Sequence, residues 1–467
     1  MENHPPRNTW PGSLRLPSPN PPKCRQITIF GGGTATNHLV DVFTNLAQAN
    51  NSVLNYIIPI SDNGGSSSEL IRVFGGPGRL VRLIPDNGDP HSEASSIKEL
   101  FNHRLPPDPK SARLEWLEIV ESLHPLWRQI STPKKELIRS FLNLVNQEIV
   151  KRMRPSSRFD FSSASIGNLF LTGARLFSGS LESAIYLLSS VCSVPETITV
   201  LPAINTNFSH HISVSLTDGS HITGQNNISH PPAPSSLPDM APPSPTRIRR
   251  ETEESDNVED ANLPGSLPSL RKPAIKFSKL EEEDLPSRIE RLWYINPYGQ
   301  EMSCPANPRV LEALSKSSTV IYSIGSLFTS IIPSIILRGV GQAIASPGIR
   351  NKILILNSSI DRETGPASNP FTAIDFITAI ADACAESRGL SKPKLEDYWV
   401  YVSHVIYIES KEAPKVDREI LSKAGIEGIR LYGQSGKYDD KALEQALKMV
   451  LGKGEQVGLS RRNTLQR

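Results

Sequence analysis

Apolar positions along the chain come in two rhythms. Short unbroken runs of apolar and β-branched residues alternate with longer stretches in which apolar residues recur every three or four positions. The first rhythm predicts strands buried on both faces, the second helices. "ITIF" (27–30) is the first such run, and it passes through "GGG" into a helical pattern, "TATNHLVDVF". "VLNYIIPI" (53–60) predicts a second buried strand, leading into the polar loop "SDNGGSSS". Helical spacing follows over about 93–102 and 113–154, then in "SIGNLFLTGARLF" and "LESAIYLLSSV", with a strand at "TITVLPA". "HISVSLTDGSHITG" (211–224) reads as a hairpin turning at Asp218-Gly219. Strands are predicted again near "LWYINP", "STVIYSI", "KILILN" and "YVSHVIYIE", with helices between most of them. The alternation points to a doubly wound α/β fold with a mostly parallel, Rossmann-like sheet covered on both faces. One stretch, "VIYSIGSLFTSIIPSIIL" from Val320, approaches the length of a membrane span. Its Ser, Thr, Gly and Pro content reads instead as buried strand, turn and helix, so no membrane partner is expected.

The periodicity vanishes from His230 to about Arg288, where proline, serine and blocks of charge dominate. Such a segment cannot bury enough surface to offset its ordering entropy and reads as a disordered insertion. It is either a solvated linker or a docking or phosphorylation segment that binds a protein partner through 230–288. The termini at 1–23 and 454–467 read as similarly loose tails, leaving an α/β domain in two parts, 24–229 and 289–453. A net charge of +2 over 467 residues argues against a dedicated nucleic-acid binder. The four cysteines, at 24, 192, 304 and 384, form no C-x-x-C pair, so neither a zinc site nor a disulfide framework is indicated. Together with an N-terminus lacking a signal-peptide core, this suggests a cytoplasmic setting.

Chemistry is expected in the turns at the carboxyl ends of strands, where ligands bind such sheets. Gly31-x-Gly33-x-x-Thr36 lacks the third glycine of a dinucleotide fingerprint. Asp62 ends the second strand, where a ribose-binding acid could stand, but "NGGSSS" after it makes a second donor-rich turn. Two anion-ready turns on adjacent strands suit a ligand with more than one charged group. An acid between them suits a hard divalent cation, such as Mg2+, bridging phosphates. Paired glycine turns can also serve tight packing alone.

Five segments in order, "ITIFGGGTAT", "ISDNGGSSSELIRVFGGPG", "SIGNLFLTGA", "YSIGSLFTSIIPSIILRGVGQAI" and "ILNSSIDRETGPASNPFTAIDFITAI", resemble the CofD/YvcK family. The family contains 2-phospho-L-lactate transferases and a bacterial gluconeogenesis or morphogenesis factor that binds a nucleotide sugar. The resemblance implies a helical subdomain (about 92–158), a tendency to form homodimers, and a guanine or uridine nucleotide diphosphate as ligand. Its transferase members pass a phospholactyl group to a hydroxyl with a divalent metal. Carried over, Gly31, Gly32, Gly33 and Thr34 would hold phosphates, and Asp62 the metal or the acceptor hydroxyl. Asn63 stands where the family has a second acid and joins Asp62 as a catalytic candidate; Gly64, Gly65 and Ser66 complete that loop. Asn168, Gly325, Ser326, Thr329, Asn357 and Glu363 match the remaining ligand-side turns. For Asn168 and Asn357, local turn chemistry is the alternative reading.

There are departures. Ala164 stands where the family has a histidine, and the family's Gly-Pro-Gly-Ser turn reads "SIGS". A Gly-Asp-x-Arg stretch that faces the family's cleft is missing, because "FGGPG" runs directly into "RLVRLIP". Those residues are lost either from the protein or from the gene model. Three functions follow: a metal-dependent transferase of a phosphorus-containing group, a nucleotide or nucleotide-sugar sensor without turnover, and a scaffold acting through the insertion.

Overall fold

The structure, a computed structural model, describes residues 26–59, 89, 91–152, 159–205, 210–229, 267, 284–433 and 436–463. Its strands are β1 (Gln26–Phe30), β2 (Val53–Ile58), β3 (Ile198–Pro202), β4 (His211–Leu216), β5 (His221–Thr223), β6 (Ile289–Ile295), β7 (Glu301–Met302), β8 (Ser317–Tyr322), β9 (Asn351–Ile355), β10 (His404–Ile408) and β11 (Glu427–Leu431). Seven of them form one sheet in the order β11-β10-β9-β8-β1-β2-β3. Every pairing in it is parallel. The unbroken apolar runs are explained by what lies on the two faces. Along β1, Ile27 and Ile29 enter one apolar cluster and Phe30 the other. Along β2, Leu54, Tyr56 and Ile58 face the first cluster and Ile57 the second. Because side chains alternate across a strand, burying both faces favours apolar residues throughout. The polar exceptions, Thr28 and Asn55, bond to Ser317 and to Gln26 and Thr199.

The first face carries helices Val40–Ala49 and Asp440–Asn463 together with a helical subdomain. In that subdomain Ser92 and Asp108 accept the backbone N–H groups of Ser95 and Ser111, which starts helices Glu93–Asn102 and Pro109–Val120. Helix Ile166–Ser178 crosses helix Thr132–Arg152 so closely at Gly173 that an added Cβ would lie 2.0 Å from the Phe141 carbonyl oxygen. The single helical block expected over 113–154 is corrected to two helices and a 3-10 turn, Pro125–Trp127, between them. Ser122 takes a left-handed φ of 64°, and Pro125 lacks the N–H that a continuing helix needs. Apolar spacing runs across this break without registering it.

The second face carries helices Pro308–Lys316 and Ala373–Ser387 and a small antiparallel sheet, β5-β4-β6-β7. The hairpin read at Asp218-Gly219 is present as β4 and β5. Its partner β6 comes from beyond the insertion, pairing Ile212 with Tyr294. Residues 230–266 and 268–283 lie outside the described residues. The last residues assigned to the insertion nevertheless belong to the fold. Leu285 is buried, Asp284 accepts the Ala367 N–H, and Arg288 reaches Asp375 at 3.2 Å and the Pro370 carbonyl at 2.6 Å. The final helix continues to Asn463, through most of the stretch read as a tail. The apolar stretch from Val320 folds as part of β8, a turn, a π-helical turn Leu327–Ile331 and a short helix Ile332–Ile335. Among the described residues no helix is long and apolar enough to cross a membrane.

Candidate functional site

From β1 the chain moves to β2 and β3 on one side, while β8 to β11 lie on the other. Strand order therefore reverses between β1 and β8. The segments following the two strands go to opposite faces of the sheet, the arrangement that in open α/β folds forms a ligand crevice beyond the carboxyl ends. Gly31 and Gly32 leave β1, Ser323 to Ser326 leave β8, Asn357 follows β9, and Pro59 follows β2.

These turns are packed against one another. A Cβ on Gly31 would lie 2.6 Å from Thr36 Oγ1, and one on Gly32 would lie 3.2 Å from Pro59. A Cβ on Gly325, whose φ is 150°, would lie 3.4 Å from the Gly32 carbonyl oxygen. Glycine lets the two turns meet backbone to backbone. Thr36, at the position of the absent third glycine, donates its hydroxyl to the Ile324 carbonyl at 2.9 Å and so ties the two turns together. Asn357 binds both sides of Gly325, accepting its N–H at 3.0 Å and donating to its carbonyl at 2.9 Å.

Glu363 is buried behind the β8 turn. Its Oε2 accepts the N–H groups of Phe328 and Thr329 at 2.9 and 3.0 Å, and its Oε1 lies 2.6 Å from the Thr329 hydroxyl. It thus satisfies orphan donors of the π-helical turn. Burial, with the neighbouring Asp361 carboxylate second, pushes its carboxyl up to about 8. Burial raises Asp361 as well, although its Oδ1 accepts the Thr364 N–H and hydroxyl. Both oxygens of Glu363 are engaged by protein donors, and Asp361 Oδ1 is engaged by Thr364. Ser323, fully buried at the exit of β8, has a hydroxyl with no hydrogen-bond partner among the described residues. Beyond the ends of β10 and β11, on the same edge of the sheet, a cavity of about 470 Å³ is lined by Lys415, Arg418 and Arg430.

The structure brings together Gly31, Gly32, Gly325, Ser326, Thr329, Asn357 and Glu363. Gly33 and Thr34 open the helix that follows β1. Asp62, Asn63, Gly64, Gly65 and Ser66 lie outside the described residues, although β2, which precedes them, ends beside Gly32. Asn168 sits in the first turn of helix Ile166–Ser178, and none of the hydrogen bonds above includes it. Sequence reading did not single out Asp361 or Ser323. The D-x-x-T spacing of Asp361 and Thr364 is a capping signal that marks the first; nothing local marks the second. Burial pushes the Cys192 thiol up to about 12 and Cys304 to about 11, the opposite of what a nucleophilic cysteine requires.

Comparison with known proteins fits this arrangement. The family profile described as "2-phospho-L-lactate transferase CofD" matches residues 27–431. The chain is 37% identical over 448 residues to "Uncharacterized protein YNL011C" of Saccharomyces cerevisiae, covering 91% of this chain and 99% of that protein. It is 24% identical over 408 residues to a "Putative gluconeogenesis factor" of Nostoc sp., covering 85% of this chain and 62% of that protein. A crystal structure of a UPF0052 family protein from Bacillus halodurans shares the fold, with a TM-score of 0.55 and 18% identity, covering 91% of this chain and 99% of that one. With the profile spanning both parts of the α/β domain and both walls of the crevice, the chain belongs to the CofD family.

Proposed function

We propose that the chain is a CofD-type transferase, moving a phosphorus-containing group from a nucleotide diphosphate donor to a hydroxyl acceptor. The observation that carries this reading is the close meeting of the Gly31–Gly32 and Gly325 turns at the strand-order reversal. Backbone can approach a diphosphate there without a side chain intervening. In the proposed step the acceptor oxygen attacks the transferred phosphorus and the bridging P–O bond breaks. A nucleoside monophosphate departs, and the acceptor proton is released. The role of this chain is to hold the donor in line and to stabilise charge on the transferring group. Asp62 would hold a divalent cation, which would stabilise charge on the transferring group; Glu363, with both oxygens engaged by Phe328 and Thr329, would not.

A second reading, nucleotide-sugar binding without turnover, is favoured by the direct passage from "FGGPG" to "RLVRLIP", which omits an acid and an arginine. A thermal-shift panel of guanine, uridine and adenine nucleotides, with and without Mg2+, tests what both readings share. A ligand at about a hundred times its Kd stabilises the folded chain by roughly 2.7 kcal/mol. A flat profile from folded protein would reject both. Turnover then separates them: in a transferase, Asp62→Ala slows the reaction ~10²-fold or more, and Asn63→Ala slows it less. Binding with no detectable product leaves the sensor.

A further inference from the structure

The helical subdomain brings two histidines and a glutamate together from three separate elements. His103 caps the end of helix Glu93–Asn102, Glu115 lies within helix Pro109–Val120, and His124 caps the 3-10 turn Pro125–Trp127. Their ligating atoms all lie within 4.8 Å of one another. His103 Nε2 is in hydrogen-bond contact with Glu115 Oε1, and His124 Nε2 lies 3.7 Å from the same oxygen. The two imidazole rings are 5.6 Å apart between centroids. All three side chains are largely buried, with exposures of 28%, 22% and 17% in chain order.

We propose that His103, Glu115 and His124 form a zinc-binding site with a fourth position open to water. Two imidazoles and one carboxylate are a donor set that Zn2+ accepts, and the mixture is too nitrogen-rich for Mg2+ or Ca2+. Tetrahedral zinc bonds of about 2.0–2.1 Å place ligand atoms roughly 3.3 Å apart. The His124–Glu115 separation must close by a few tenths of an ångström, and the His103–Glu115 contact must open. The Leu126 N–H, 3.3 Å from His124 Nδ1, holds that ring with Nε2 towards Glu115. Coordination through Nε2 gives up this one long hydrogen bond, because the ring proton then sits on Nδ1.

The site would do more than staple three elements. The His103 carbonyl accepts the Ile166 N–H at 3.1 Å, and the Leu105 N–H donates to Ala164 at 2.9 Å. This pairing sets the start of the helix that carries Asn168, so metal occupancy would fix the entry of that turn. None of its three ligands is among the residues gathered at the crevice.

The test is zinc titration of the full chain after chelation, by calorimetry and metal analysis, beside Glu115→Gln and His124→Asn. Glutamine keeps a partner for His103, and asparagine keeps an acceptor for Leu126 N–H, so both variants should fold. The expected result is one zinc per chain, a melting midpoint several degrees higher with zinc, and at least a tenfold loss of affinity in each variant. Mg2+ should produce none of these changes. No zinc binding by the full chain, or unchanged stoichiometry and affinity in both variants, would overturn the site.

Discussion

The turn after β8 and the turn after β1 lie side by side, yet they are held by different means. After β8 the chain is pinned by side chains: Glu363 takes three hydrogen bonds from Phe328 and Thr329, and Asn357 accepts the Gly325 N–H and donates to the Gly325 carbonyl. After β1 the hold is sparser: the Thr36 hydroxyl reaches the Gly32 and Ile324 carbonyls at 3.3 and 2.9 Å, the Gly31 N–H donates to the Ile57 carbonyl, and Pro59 and Ser330 approach the turn closely. One wall of the crevice therefore has the backbone of its turn held by buried or half-buried side chains. The other is held by one hydroxyl, that of Thr36, and by close glycine packing. On the proposed transferase reading, binding specificity and catalysis would be sought on the glycine wall and in the residues after β2, and the pinned wall would supply the rigidity that holds a ligand in line.

Removing the pin should have the largest effect. Glu363→Ala leaves two buried N–H groups and a hydroxyl without their acceptor, and opens a void behind the turn. A stability loss of about 3–5 kcal/mol is expected by chemical denaturation. Glu363→Gln should retain most of the stability, because its carbonyl can still accept both N–H groups. Equal, small losses in the two variants would show that the turn holds itself, and that the contrast between the walls is false.

The pH response of the pin comes next. Burial and Asp361 raise the Glu363 carboxyl from an ordinary 4.5 to about 8, so the folded chain binds this proton more tightly than the unfolded chain. The resulting stability is complete below 4.5 and fades as pH rises through 8. Wild-type protein should lose about 1–3 kcal/mol relative to Glu363→Gln between about pH 5 and pH 9. Parallel pH profiles for the two proteins would mean that Glu363 is ionised throughout.

A smaller loss, about 1–2 kcal/mol, is expected for Asn357→Ala, which frees the N–H and carbonyl of Gly325 in a partly exposed setting. If nucleotide binding falls far more than stability does, Asn357 also touches ligand. If the two fall together, its work is confined to the turn.

How much of this could be read in advance differs between the walls. β1, its glycines and the parallel order were legible because burial on both faces writes unbroken apolar runs, and because close backbone approach writes glycine. The glycines after β8 and the Asn357 turn were legible through the family resemblance, but the occupation of Glu363 by backbone donors was not. A buried carboxylate that caps a turn and one that faces a ligand have the same sequence, and only the hydrogen-bond partners distinguish them. The pairing of β4 with β6 was hidden for a different reason. The insertion separates Leu216 from Ile289, and strand periodicity carries no information about a partner so far along the chain. The break at Ser122 was hidden because apolar spacing survives a change of helix axis. The cluster of His103, Glu115 and His124 escaped notice because its spacings match no zinc motif; three elements had to fold before the ligands met.

The smallest stability effect should come with a large functional one, at Gly32. Its backbone, at φ −130° and ψ 172°, is extended and open to any residue, so conformational freedom does not explain the glycine. An added methyl would sit 3.2–3.3 Å from Pro59 and 3.4 Å from Ser330 Cβ, contacts relieved by shifts of a few tenths of an ångström. Against that crowding, Gly→Ala gains about 0.4–1 kcal/mol from a less flexible unfolded chain. The two terms nearly cancel, and Gly32→Ala should melt within a few degrees of the wild type. Yet the methyl would wedge between the exit of β2 and the β8 turn, and on the proposed reading would shift the backbone that approaches phosphate. Nucleotide affinity should fall at least tenfold, about 1.4 kcal/mol, when measured by titration on the folded variant. A large drop in melting temperature would assign Gly32 to packing. An unchanged melt with unchanged affinity would move the ligand off the β1 turn, towards the cavity lined by Lys415, Arg418 and Arg430.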